Sequence, residues 1–284
     1  MRRALEELEA LRGSRAVVLA ASNLDLDLLP ALYDALRGIG RAERLDLLIL
    51  CRGGVVNAAR RVALLLHHFA GHLAFIVPDR CESAGTIAAL AAHEIVAGPA
   101  AIFSPIDPLL ETPSAPGESP SAISAQDVRL FGRMAQDWFG LAAAEAGTRA
   151  MTVLCESIFP TTLTAFHRAT LEVEAIAAEL LALARPGAPA AAIVEQLLHG
   201  HHSHGFALTP DDLRRIGLPV RDDPAVADRA WEIVRPLREG LGAGARRTAE
   251  ADWFDAIVAT TAGSVRRRRS LAAPGPVWEA GDVG

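Results

Sequence analysis

Leu45-Asp46-Leu47-Leu48-Ile49-Leu50-Cys51, then Arg52-Gly53-Gly54, and further on Cys81-Glu82-Ser83-Ala84-Gly85-Thr86 are the residues whose reading decides the fold. The first run is almost continuously apolar, as a strand buried on both faces requires, and it stops at paired glycines. Glycines after such a strand let backbone N–H groups turn toward a ligand, as an oxyanion hole needs. Ser83 follows a second apolar run ending in Pro78 and opens a small-residue helical pattern from Thr86 to Ala92. A serine placed there holds its hydroxyl at a helix N-terminus, where unpaired N–H groups and the dipole favour developing negative charge. Together the serine and the glycine loop make an acyl-transfer site. Taken singly, Ser-Ala-Gly also reads as an N-cap and Gly-Gly as a turn. The Gly-x-Ser-x-Gly elbow is absent, because Cys81 stands at its first glycine, so an α/β-hydrolase is not predicted.

Outward from this centre, strands and helices alternate. Arg15–Ser22 reads as a first strand and 25–36 as a helix ended by Gly38 and Gly40. After Leu45–Cys51 come a helix from Gly54 to about Phe69, a strand at Leu73–Val77 and the Ser83 helix. Short strands follow at Glu94–Ala97 and Ala100–Phe103. The pattern predicts an α/β fold with a parallel sheet covered on both faces. Glu111–Ser124, rich in Pro, Ser and Gly, reads as a mobile loop, either a substrate-facing flap or plain surface. Residues 125–147 and 162–184 read as alanine-rich helices, and Pro186 and Pro189 precede another helix at Ala190–Leu198. Residues 224–240 read as helical, Trp253–Thr261 as one more strand, and the tail from Ala272 as disordered.

Composition narrows the function classes. The chain has 284 residues, 51% of them hydrophobic, enough for a substantial core. Its 34 acidic residues outnumber 28 basic ones, so no global attraction to nucleic acid is expected. Every basic residue is arginine, which excludes a Ser-Lys dyad in this chain or any homo-oligomer of it. Cys51, Cys81 and Cys155 are too few and scattered for a disulfide framework, and no Cys/His spacing suggests zinc; no cofactor is implied. Met1–Arg15 is charged rather than signal-like, and polar residues interrupt every apolar window. A cytoplasmic protein without a membrane span is expected. Arg266–Arg269 reads as a solvated edge or tail segment, or as a contact for an acidic partner or nucleic acid.

Several segments resemble the serine dehydrogenase proteinase family of the Clp-protease/crotonase superfamily. They are Asp46-Leu-Leu-Ile-Leu, Arg52-Gly-Gly, Ile76-Val-Pro, Ser83-Ala-Gly-Thr, Ala91-Ala-His-Glu-Ile-Val and Ser104-Pro-Ile-Asp-Pro108. Ser203-His204-Gly-Phe-Ala-Leu-Thr209 and the Ile-Gly-Leu-Pro-Val turn that ends at Val220 echo a later segment. The resemblance covers 15–110 and, more loosely, 185–220. It implies a Clp/crotonase-type core and serine protease domain over 1–220, with 221–284 adding a helix, a strand and a flexible tail. It further implies a peptide or protein substrate and a homo-oligomer built by projecting helices.

A serine hydroxyl needs a base, and the base an orienting group. His67, His68 and His72 lie on or after the helix that follows Gly54, with a spacing that suits a partly exposed helix face, and His93 suits a turn. His199, His201, His202 and His204 form a cluster that could gather a metal, although Glu195 is its one close acid. The resemblance places His204 at the family's histidine, with Gly205 where the family carries an acid. It also predicts an aspartate at Asp107, either orienting the imidazole or lying before Pro108 as a turn residue. The expected assignment is Ser83 as nucleophile, His204 as base and Asp107 as a third member. Gly53 or Gly54, together with Ala84, would supply the oxyanion-hole N–H groups. Two other functions remain open: a crotonase-type acyl-CoA enzyme, which needs no nucleophilic serine, and a non-catalytic Clp-like scaffold.

Overall fold

A computed structural model of the chain describes residues 1–111, 122–242, 248, 250–272 and 275–281. Strands β1 (Arg15–Ala21), β2 (Ala42–Cys51), β3 (Ala70–Val77) and, after the short β4 (Arg80–Cys81), β5 (Glu94–Ala97) run parallel. Each central strand is apolar on both faces, and alternation sorts the two sets. Leu19, Leu47, Ile49, Phe75 and Val77 face one core layer; Val18, Ala20, Leu48, Leu50 and Ile76 face the other. The first layer packs under α2 (Leu29–Ile39), α3 (Val56–Phe69), α4 (Ala84–Ala89), α7 (Pro160–Ala184) and α8 (Ala190–His199). The second packs under α1 (Arg2–Arg12) and α10 (Pro224–Gly240). The α/β fold with a largely parallel sheet is therefore the architecture.

Beyond β5 lies β9 (Val220–Arg221), and beyond β1 three antiparallel strands extend the same sheet. These are β10 (Trp253–Thr260), β11 (Gly263–Arg269) and β12 (Val277–Gly281). The tail expected to be disordered from Ala272 thus contains a strand, because β11 offers it a free edge. Ala273, Pro274 and 282–284 lie outside the described residues. Arg266–Arg269 is likewise no tail: it is the second half of an internal strand.

The helical pattern expected over 125–147 is two helices, α5 (Ala125–Phe139) and α6 (Ala143–Ser157). Gly140 takes the left-handed conformation (φ 66°) and accordingly ends α5. Residues 109–111 and 122–124 form a two-stranded hairpin, β7 and β8, joined through 112–121, which lie outside the described residues. The mobile flap expected there concerns mainly those residues. No helix among the described residues is long and apolar enough to cross a membrane.

Candidate active site

The glycine loop and Ser83 both follow the C-terminal ends of parallel strands, β2 and β4, which lie side by side with Cys51 opposite Cys81. Open α/β sheets bind ligands at such ends. Leu24 clamps the loop: its N–H donates to the Gly53 carbonyl and its carbonyl accepts from Val55 N–H, both at 2.8 Å. A Cβ on Gly54 would stand 2.2 Å from the Leu24 carbonyl oxygen, and Gly54 has φ 130°, so only glycine fits. Gly53 N–H donates to Cys51 Sγ at 3.2 Å. The Leu24 bridge does not use the Gly54 N–H.

Ser83 is the N-cap of α4 and has φ 50° and ψ −112°, the single positive φ among the described non-glycine residues. Strain of that kind costs on the order of 1–3 kcal/mol and persists only where neighbours enforce it. Here Ser83 N–H donates to Ser104 Oγ at 2.8 Å, and Thr86 Oγ1 donates to the Cys81 carbonyl at 2.8 Å. Small residues allow the turn, since a Cβ on Gly85 would come within 3.2 Å of Cys81 Sγ. Ala84, first in the helix, has an N–H with no intrahelical acceptor. Gly53 lies directly against the serine: a Cβ there would touch Ser83 Cβ at 3.3 Å.

Ser83, Gly53, Gly54, Asp107 and His204 line one cavity of about 670 Å³, walled on its apolar side by Ile87, Ile106 and Val173. His204 Nδ1 lies 2.9 Å from Asp107 Oδ1. Asp107 is 4% exposed and accepts a second hydrogen bond, 2.5 Å, from Ser124 Oγ. Burial works to raise the Asp107 carboxyl, but the hydrogen bonds from His204 and Ser124 outweigh it and hold the group below its ordinary value. An ionised carboxylate can only accept, so His204 carries its proton on Nδ1 and leaves Nε2 as the basic nitrogen. Among the described residues no hydrogen bond joins Ser83 Oγ to His204; the two meet across the cavity.

Two pairings bear on the Asp107–His204 pair, one on each partner. Phe103 and Leu208 exchange N–H donors and carbonyls at 2.9 Å, tying the His204 loop to β6 (Ile102–Phe103) just before Asp107. The β7–β8 hairpin sets Leu109 opposite Ser124, the capping-box residue of α5. Ser124, Ser104 and Leu24 were not candidates from sequence. The Ser124-x-x-Asp127 capping signature marks a helix start, but not a partner for Asp107. Nothing in the sequence marks Leu24.

Residues 24–126 match the ClpP-like SDH-type serine proteinase family. The matched segment takes in the Leu24 bridge, both glycines, Ser83, Asp107 and Ser124, while His204 lies beyond it. The chain is 23% identical over 254 residues to an uncharacterized protein of Methanocaldococcus jannaschii, covering 85% of this chain and 77% of the relative. A solved membrane-bound stomatin-specific protease shares 17% identity over 46% of this chain, with a TM-score of 0.31; the chain spans 65% of its length. An enoyl-CoA hydratase/isomerase from Marinobacter aquaeolei shares 11% identity over 80% of this chain and 75% of its own, with a TM-score of 0.36.

The remaining histidines lie elsewhere. His67, His72 and His93 gather at the opposite, N-terminal edge of the strands, with ring centroids 5.3 Å (His67–His93) and 4.9 Å (His72–His93) apart. His67 and His68 lie on α3, and His72 follows it on β3. His93 Nδ1 accepts from Leu73 N–H at 3.0 Å. Burial, then His72 and His67, lower its affinity for a proton. His201 stacks on Phe206, and His199 faces a groove beside α5 and α7. Among the described residues no group of three His, Cys, Asp or Glu side chains could hold a metal.

Proposed function

We propose that the protein is a serine hydrolase of the peptidase type, with Ser83 as nucleophile and His204 as general base. The observation that carries this reading is the strained Ser83 at a helix N-terminus, opening on the cavity that also receives the Asp107–His204 pair. Asp107 holds the imidazole with Nε2 free. As Ser83 Oγ attacks the substrate carbonyl carbon, His204 Nε2 takes its proton. The developing oxyanion is met by the N–H groups of Gly54 and Ala84, Gly53 being spent on Cys51. His204 then returns the proton to the leaving amine, and water repeats the sequence on the acyl-enzyme. Catalytic pairs in ligand-free enzymes are often apart and close on substrate, which is the step the Ser83–His204 gap requires. A crotonase-type enzyme or a scaffold would leave this serine, imidazole and carboxylate without a task.

The homo-oligomer belongs to the same proposal. Trp138 and Phe139 at the end of α5, and Phe159 before α7, are each at least 70% exposed, an apolar surface that suits a second copy. The substrate class is tested by incubating wild type and Ser83→Ala with an unstructured protein such as casein. Cleavage by wild type alone supports a peptidase. Equal cleavage by both, or cleavage by neither, contradicts it.

A further inference from the structure

The run Arg266–Arg269 is the sequence motif the proposed chemistry leaves unused. On β11 its side chains alternate between faces. Arg266 and Arg268 pair with Glu279 and Asp252. Arg267 is 1% exposed. Its Nε and Nη2 donate to the two oxygens of Asp255 at 2.8 and 3.0 Å, and Nη1 donates to Asp25 Oδ1 at 2.7 Å. A buried ion pair of this kind adds little net stability over a packed apolar group, so stability alone does not account for it.

Asp25 is where this arginine meets the site. It lines the cavity, and its Oδ1 also accepts from Asp27 N–H at 3.1 Å, capping the turn Leu26–Leu28. It directly follows Leu24, whose backbone clamps Gly53 and Val55. At the other end of the same short segment, Ser22 N–H donates to the Asp255 carbonyl at 2.8 Å. Residues 22–25 are thus fastened twice to Asp255 and Arg267, and the glycine loop is fastened to them.

We propose that Arg267 is a positioning residue for the oxyanion loop, setting the Gly54 N–H against Ser83 through Asp25 and the Leu24 backbone bridge. The proposal rests on the reading of Ser83 as nucleophile and Gly54 as oxyanion donor. Because oxyanion contacts form only as the tetrahedral adduct forms, loss of position lowers kcat and leaves KM alone.

The test uses the 284-residue chain and four variants. Asp25→Ser keeps a capping oxygen but is too short for Arg267; Arg267→Met removes the guanidinium; the double variant combines them; Arg268→Met is the control on the same strand. Read-outs are the rate of Ser83 modification by a fluorophosphonate, and kcat and KM for p-nitrophenyl acetate. Asp25→Ser and Arg267→Met should each slow modification and lower kcat by about 10- to 100-fold at unchanged KM, because misplacement by an ångström is costly. The double variant should be no slower than the worse single, and Arg268→Met should stay within about twofold of wild type. If Arg267→Met does not fold, Asp25→Ser decides. A labelled wild type with Asp25→Ser at the same rate, additive effects, or a change confined to KM would overturn this inference alone. A wild type that does not react at Ser83 would overturn the underlying reading and the inference with it.

Discussion

Replacing Gly54 by alanine would perturb the site at its least compliant point. The new Cβ would lie 2.2 Å from the Leu24 carbonyl oxygen, 2.4 Å from its nitrogen and 2.9 Å from its carbonyl carbon. All three are backbone atoms, so relief requires the loop to withdraw by about 1 Å and both 2.8 Å bridge hydrogen bonds to open. Two lost hydrogen bonds cost about 1–3 kcal/mol together, and alanine at φ 130° adds about 1–3 kcal/mol. The sum of about 2–6 kcal/mol corresponds to a Tm lower by on the order of 10 °C. Moving the Gly54 N–H should slow Ser83 acylation by about 10²-fold or more. Gly53→Ala is the internal comparison for stability: its φ of 137° is equally strained, but its Cβ would meet the Ser83 side chain, Cβ at 3.3 Å and Oγ at 3.7 Å, with no backbone atom closer than 3.9 Å. It should therefore lose only about 1–3 kcal/mol. Thermal melts of the two variants check the ordering, and the esterase rate of Gly54→Ala checks the loss of acylation. A Gly54→Ala protein with wild-type Tm and rate, or one destabilised less than Gly53→Ala, would refute the reasoning.

Other expectations follow from the same geometry. His204→Ala should lower turnover by about 10³-fold or more with little loss of folding, and Asp107→Asn should cost less; turnover surviving His204→Ala but lost in His202→Ala would show another base. Because burial and then its histidine neighbours hold His93 below its ordinary value, the unfolded chain binds its proton more readily. That contribution is fully present above about pH 6.5 and declines as pH falls below it. His93→Asn, which keeps an acceptor for Leu73 N–H, should flatten the fall in Tm between about pH 7 and 5.5; an unchanged slope would contradict this. Sedimentation should show at least a dimer at micromolar concentration, and Trp138→Glu with Phe139→Glu should shift it toward monomer. A monomeric wild type would rule the self-association out.

The parallel core was legible because β1, β2, β3 and β5 are buried on both faces and say so in their apolar runs, such as Val17–Ala21 and Leu47–Cys51. The placing of Ser83 at a helix start was legible in its position between an apolar run and a small-residue helical pattern, and the glycine turn in the abrupt end of the strand at Cys51. What escaped was long-range pairing of polar groups. Arg267 looks solvent-bound by composition, yet its partner Asp25 stands near the other end of the chain, and no local pattern links them. Ser124 reads as a helix cap and is one, but its bond to Asp107 depends on a hairpin whose strands are only three residues each. The α5–α6 break rested on a single glycine, Gly140, within an otherwise continuous helical pattern.

The central claim is that Ser83 is an activated nucleophile. Incubating the protein with a fluorophosphonate and mapping the adduct by mass spectrometry tests it most directly. One adduct per chain is expected, on Ser83, formed fastest with His204 intact and absent in Ser83→Ala. No adduct on a folded wild-type protein, or an adduct on another residue that persists in Ser83→Ala, would contradict it.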